Sequence, residues 1–272
     1  MKKKTLLILS IVLSVLMTAS LIYVANGFHQ SSKLLKAVEN DDYESAKAAI
    51  DKGAWVNKRR TIWYIPELAL INDTPLIVAC EHANEEMVQL LLDNGADVNV
   101  EDNFRDVSPL MEAVSGNDEN RFRLGMYIIN QGGDIFAENK YSSVFSRALY
   151  ISETDSEQNI NECYELLKYL LASDVEPTMP WGPESALTYA ARYRNYSAVD
   201  LLISEGYYEV DSRDNNGDTA LIVAAKYGQV KAVKVLLKHG ASLALQDKDG
   251  KTALDYAIEI GNEEIIDLLS QK

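Results

Sequence analysis

Histidine, cysteine and clustered basic charge are all scarce in this chain of 272 residues, and each scarcity removes a class of function. Three histidines, His29, His82 and His239, fall in segments separated by several helices. Neighbouring helices stand about 10 Å apart, so three such residues cannot converge on one metal ion. The two cysteines, Cys80 and Cys163, have a full helical unit between them. Their expected separation is on the order of 20 Å, beyond the ~7 Å Cα limit for a disulfide. No Gly-x-Ser-x-Gly, His-Glu-x-x-His or phosphate-cradling glycine loop occurs, so no catalytic, cofactor-binding or metal-binding residue is assigned. Lys and Arg number 26 against 41 Asp and Glu, a formal net charge of −15. Lys2, Lys3 and Lys4 are the only charges before Lys33, and taking those three from −15 leaves −18 for the body. Nucleic-acid partners need clustered Lys and Arg and are not expected. An anionic membrane surface repels such a body. The excess acid serves solubility.

What the chain does hold is periodicity. The clearest stretch, 214–243, reads DNNGDTALIVAAKYGQVKAVKVLLKHGASL. Asp214-Asn215-Asn216-Gly217 is turn chemistry, because Asn and Gly tolerate positive φ and Asp bonds its own backbone. Thr219 caps a short helix whose narrow face of mostly small residues is Ala220, Leu221, Ala224 and Ala225, and Gly228 ends it. Val230, Val233, Leu236 and Leu237 recur near the 3.6 period on a second helix, which Gly240 closes. Two helices of about ten residues cannot bury such faces alone and require copies of themselves on either side.

The copies exist. Thr219-Ala220-Leu221 returns 33 residues later as Thr252-Ala253-Leu254, and Gly240-Ala241 matches the start of Gly95-Ala96-Asp97-Val98-Asn99. Thr74-Pro75-Leu76 opens an earlier copy, with Ile77 next. A 33-residue period with these landmarks resembles the ankyrin repeat, whose Thr-Pro-Leu-His signature is matched at Thr74-Pro75-Leu76 and departs at Ile77. The resemblance extends from about residue 31 to the C-terminus and is specific in the copies near 72, 214 and 247. It implies an all-α solenoid of antiparallel helix pairs with hairpin-like turns along one edge. About seven copies are expected. The first, 31–57, has Leu34, Leu35, Ala37, Val38, Ala46 and Ile50 as core and a polar face of Lys33, Lys36, Glu39, Asp41, Asp42 and Glu44. The last, 247–270, carries Asp255, Glu259, Glu263, Glu264 and Asp267 outward. Both polarities suit terminal caps. Insertions fall at 58–70, at 152–159 with a second helix at 163–171, and in a Pro-rich loop at 176–184.

Residues 1–27 stand apart from the repeats 28–272. Lys2-Lys3-Lys4 precedes an uncharged, mostly apolar run at 5–25, 21 residues long. This is the pattern of an export signal, and about 20 residues suffice to span a bilayer. No Cys lies next to the run, which argues against a lipid anchor. The pattern predicts an N-terminal apolar helix that is either an uncleaved membrane anchor or a cleaved signal peptide. The lysines remain inside and the repeats lie outside the cytoplasm, in a bacterial-looking cell envelope.

Function then rests on a surface. In arrays of the ankyrin type, the resemblance implies, partners lie along the concave groove made by turn tips and first-helix ends. Those ends bring up Tyr150, Arg192, Tyr193, Lys226 and Tyr227, with Tyr193 and Tyr227 at the same repeat position. Tyr and Arg are enriched at binding hot spots, although Tyr also packs well when partly buried. The expected function is a monomeric, non-catalytic scaffold for a protein partner, with the membrane engaged only through the N-terminal segment. The alternative is an enzyme or toxin-like effector with activity in 58–70 or 176–184. That reading needs a nucleophile with a base or a metal set, and neither insertion has a His or Cys.

Overall fold

A computed structural model describes residues 2–59, 74–102, 105–116, 118–151, 155–179 and 184–270, with side chains from residue 13 onward. The described residues form fourteen helices in seven antiparallel pairs and no strand. The chain divides into two compact units, Met1–Arg105 and Asp106–Lys272.

The first unit holds α1 (Lys2–Glu39), α2 (Tyr43–Asp51), α3 (Pro75–Glu81) and α4 (Glu85–Asp93). α1 passes through position 27 without a break, so the expected leader and the first helix of copy one are a single 38-residue element. Its residues 26–31 pack on the turn after α2. Asn26 Nδ2 donates to Lys52 O at 2.8 Å, Trp55 N donates to Ser31 Oγ at 2.8 Å, and the Phe28 and Trp55 rings meet edge-on at 5.1 Å. Gly27 lies flat under Trp55, where a Cβ would come 2.5 Å from the indole. Leu34, Leu35, Ala37, Val38 and Ala46 are buried as their period requires, but Ile50 is only half-buried and Ala49 takes the core position. Among the described residues no helix is long and apolar enough to cross a membrane. The side chains of residues 1–12, part of the expected apolar run, lie outside the described set.

The second unit holds α5 (Pro109–Ala113), α6 (Arg121–Asn130), α7 (Val144–Ala148), α8 (Glu157–Ala172), α9 (Ala186–Arg192), α10 (Tyr196–Ser204), α11 (Ala220–Lys226), α12 (Val230–Lys238), α13 (Ala253–Ile260) and α14 (Glu263–Ser270). Here α9, α11 and α13 stack as inner helices, while α10, α12 and α14 stack behind them. Each inner helix starts on a hydroxyl cap: Ser108, Ser143, Ser185, Thr219 and Thr252 accept from the backbone N–H three residues on, satisfying an N–H that has no partner within the helix. Short antiparallel bridges, Glu138 to Ser143 and Arg213 to Thr219, tie two of the hairpin-like tips.

The inner helices differ from the periodic reading in one respect. The whole run Ala220–Ala225 is buried, Ile222 and Val223 included. An inner helix is covered by its two neighbours and by its own partner helix, so it has no polar face, and a one-sided pattern describes only the outer helices. α12 is of that kind, with Ala232, Val233 and Leu236 inward and Lys231, Lys234 and Lys238 outward. Gly228 and Gly240 hold φ of +69° and +83°, so both helix ends use the left-handed conformation that their glycines were expected to supply. In copy four the second helix begins at Glu157 rather than Cys163: Ser156 caps it through Asn159 N, which turns the end of the expected insertion into a helical turn. Residues 152–154 lie outside the described set.

Candidate protein-binding strip

The C-terminal ends of α7, α9 and α11 carry the residues singled out by recurrence. Arg192 is the last residue of α9 and Tyr193 its C-cap; Lys226 and Tyr227 hold the same places on α11. Tyr150 lies two residues beyond α7, because that helix already ends at Ala148. Four of the five join in one contact chain. The Tyr150 and Tyr193 rings are 5.3 Å apart, and the Arg192 guanidinium lies 5.1 Å from the Tyr193 ring and 4.6 Å from the Tyr227 ring. Arg192 is therefore sandwiched by two aromatic faces, an attractive arrangement for a cation, and it bridges two repeats. Lys226 instead turns to the next repeat and lies 5.1 Å from the Tyr256 ring.

Other residues complete the strip that recurrence does not reveal. Tyr189, one helical turn before Tyr193, packs on it at a tilt with the ring centres 4.5 Å apart. Glu184 accepts from Arg192 Nη1 at 2.8 Å. Burial opposes the charge on Arg192, but its hydrogen bond to Glu184, together with the charge of Glu184 and the neighbouring Tyr193 and Tyr227, holds the guanidinium pKa above its ordinary value. Burial, with Tyr193 and Glu184 beside it, pushes the Tyr189 phenol up to about 12, so it stays a neutral hydrogen-bonding group. Tyr256 donates to Asp247 Oδ2 at 2.6 Å. The i, i+4 spacing of Tyr189 and Tyr193 was the available signal. Nothing local announces Glu184, which reaches Arg192 from eight residues upstream.

Exposure grades along the strip. Tyr227 is 44% exposed, while Tyr150, Tyr189 and Tyr193 are half-buried. Beside Tyr150 and Tyr189 a cleft of about 180 Å³ opens, lined also by Ser115, Ser142 and Arg147. Arg147 is held there by Ser142 Oγ at 2.9 Å, Met111 O at 3.1 Å and Glu112 Oε2 at 3.3 Å. Such a surface offers aromatic faces, phenol hydroxyls and a fixed cation edge, which are recognition groups rather than a proton-transfer pair.

Two histidines make contacts within the fold. His239 Nε2 is 2.7 Å from Asp200 Oδ1, and His82 Nδ1 is 3.3 Å from Asp41 Oδ1. Cys80 and Cys163 are buried, and burial pushes the Cys163 thiol up to about 12. Among the described residues no three His, Cys, Asp or Glu gather as a metal site. Of the insertions, 60–70 and 180–183 lie outside the described residues.

A family model described as ankyrin repeats, in three copies, matches residues 26–132, 157–247 and 187–272. The chain belongs to the ankyrin-repeat family. Its curated relatives include the ankyrin repeat and KH domain-containing protein mask-1 of Caenorhabditis elegans, 37% identical over 213 residues, covering 75% of this chain and 7% of the relative. Human ankyrin repeat domain-containing protein 29 is 40% identical over 62 residues, covering 23% and 21%. Human transient receptor potential cation channel subfamily A member 1 is 26% identical over 271 residues, covering 88% and 20%. The chain thus spans about a fifth or less of these relatives' lengths. The crystal structure of the human ASB11 ankyrin repeat domain superposes with a TM-score of 0.64 at 24% identity, covering 88% of this chain and 98% of that one. Ankyrin repeats generally mediate protein–protein interaction, and the fold is typically a non-catalytic scaffold.

Proposed function

We propose that this ankyrin-repeat chain is a non-catalytic scaffold that binds a protein partner through the strip Tyr150, Arg192, Tyr193, Lys226 and Tyr227. The observation that carries the reading is the Arg192 guanidinium held 5.1 Å and 4.6 Å from two tyrosine rings on consecutive repeats. A fixed aromatic–cation surface loses little side-chain entropy when a partner lands on it, which is the property of a binding anchor. In a chain of net charge −15, a local cationic strip selects a partner face that is acidic or mixed, while the surrounding acid turns away strongly anionic competitors. The chain acts as a monomer at the cell envelope, exported by its N-terminal segment and, if the segment is retained, anchored by it. Lys2-Lys3-Lys4 ahead of the 21-residue apolar run supports that placement.

The test is affinity capture with the whole chain, since residues 26–31 contribute packing to the first repeat. Captured proteins are identified by mass spectrometry and their affinities measured. Tyr193→Ala with Tyr227→Ala removes two ring faces around Arg192. Hot-spot truncations cost about 2 kcal/mol or more, so capture should weaken about thirtyfold while the thermal melt stays nearly unchanged. Unchanged capture would place the partner elsewhere. Loss of the fold would show that the tyrosines are packing residues.

A further inference from the structure

Several cations in this acidic chain are matched. Arg121, Arg147, Arg192, Lys231, Lys234 and Lys251 each face a carboxylate within ion-pair distance. Lys33 and Lys36 on α1 and Lys52 just after α2 differ. All three are exposed, and among the described residues none of them has a carboxylate partner. They line a single cleft of about 380 Å³ between the two helices. The one acid in its wall, Asp42, is committed to the cap of α2, where it accepts from Ser45 N at 3.0 Å; those Ser45 hydrogen bonds hold its carboxyl below the ordinary range. Three positive charges and one negative charge therefore share the cleft.

A second feature points to a ligand. Gln30 also lines the cleft and is 7% exposed. Asn26 spends its Nδ2 on Lys52 O, and its Oδ1 meets Gln30 Nε2 at a long 3.5 Å. That arrangement leaves Gln30 Oε1 buried with no donor among the described residues. A buried acceptor without a donor is costly and rare in native folds. Lysines supply the charge for an oxyanion, and the amide oxygen calls for a hydroxyl hydrogen.

We propose that this cleft binds a phosphate ester carrying a neighbouring hydroxyl, of glycerol phosphate type, either free or as the headgroup of an anionic lipid. The lipid source fits the placement on α1. Exposed apolar side chains run from Leu13 to Val24, and Lys33 follows nine residues later on the same helix. At 1.5 Å per residue that is about 14 Å, somewhat beyond a headgroup layer of about 5–8 Å, a gap that a flexible lysine side chain spans by reaching back toward the interface. The chain's overall negative charge does not forbid this, because exposed charges more than about 8–10 Å away are largely screened. The site is separate from the tyrosine strip and stands independently of it.

Calorimetric titration of the full chain in a neutral detergent tests the proposal with three probes: short-chain phosphatidylglycerol, short-chain phosphatidylcholine and glycerol phosphate. Each lysine near an anionic group corresponds to about fivefold in affinity, so K33Q/K36Q should weaken the anionic probes roughly twenty-five-fold and K52Q about fivefold. K33R/K36R should retain binding, which separates loss of charge from loss of fold. K234Q/K238Q, which removes the same charge from another face, should change nothing. Binding of phosphatidylglycerol without glycerol phosphate assigns the site to lipid, and binding of both extends it to the free ester. The proposal is overturned if neither anionic probe binds, if phosphatidylcholine binds equally well, or if K234Q/K238Q weakens binding as much as K33Q/K36Q.

Discussion

Asp155→Ala should be among the most damaging single substitutions in the second unit. Arg121 and Asp155 side chains are each 1% exposed. Their two hydrogen bonds are parallel, Nη1 to Oδ1 at 2.8 Å and Nη2 to Oδ2 at 2.7 Å. Arg121 also donates to Tyr150 O and Asp118 O, both at 3.2 Å, and Asn159 Nδ2 donates to Asp155 Oδ1. Removing the carboxylate leaves a guanidinium that is buried and cannot lose its proton. Breaking one partner of such a pair costs about 3–5 kcal/mol. Replacing both is far cheaper, because no uncompensated charge remains. Arg121→Met with Asp155→Ala should therefore cost well under the sum of the single changes, with a coupling on the order of 3 kcal/mol. Urea unfolding followed by circular dichroism gives the totals, and hydrogen exchange at α6 and α8 localises the loss. Additive single costs, or a cost below about 1 kcal/mol for Asp155→Ala, would refute the pairing. Because Arg121 also holds the Tyr150 carbonyl, the same variant should disturb one end of the strip.

Further outcomes follow from the same geometry. Leu221→Ala, at a site 1% exposed, should lower stability by roughly 2–5 kcal/mol in the urea experiment. Gly240→Val should cost about 1–3 kcal/mol from its φ of +83° alone, since no atom crowds a Cβ there, and Gly240→Ala should cost less. Gly27→Ala should destabilise the first unit by about 1–3 kcal/mol through the clash with Trp55, measurable as a lowered melting temperature. Cys163 should resist iodoacetamide at pH 8 in the folded chain and react once urea unfolds it, because burial holds the thiol near 12. The unfolded thiol ionises near pH 9 and the folded one does not, so this contribution is intact below pH 9 and is lost as pH rises towards 12.

The repeat was legible because its landmarks are local. Thr219 caps over three residues, Gly240 turns one helix end, and the 33-residue return of Thr-Ala-Leu is visible without any contact map. What escaped the sequence is long-range. Asp155 sits in a polar run that reads as a solvated insertion, yet its partner 34 residues earlier draws it into the interior. Lys33 and Lys36 read as the wet face of an end cap, and only the pairing of α1 with α2 brings Lys52 to them. The all-round burial of α11 is invisible to a periodicity argument, since period measures sidedness and an inner helix has none.

The tyrosine strip shows why packing and recognition are poor alternatives in a repeat protein. Tyr193 packs at a tilt between Tyr150 and Tyr189 and also meets Arg192, so part of its ring is already committed to its own and a neighbouring repeat. That commitment is what fixes the exposed edge. A long side chain free in solvent loses rotamer entropy when a partner binds, on the order of 1 kcal/mol, whereas a ring already wedged between repeats loses little more. The same logic applies to Arg192, whose charge is retained by Glu184 and whose plane is set by Tyr193 and Tyr227. Inner-helix ends repeat at regular intervals along the stack, so half-buried residues there make a row of rigid, regularly spaced contact points. In such a row the residues most useful to a partner are those that the fold has already half immobilised. Tyr227, at 44% exposure the most open of the strip's ringed residues, is the one with the most face left to offer.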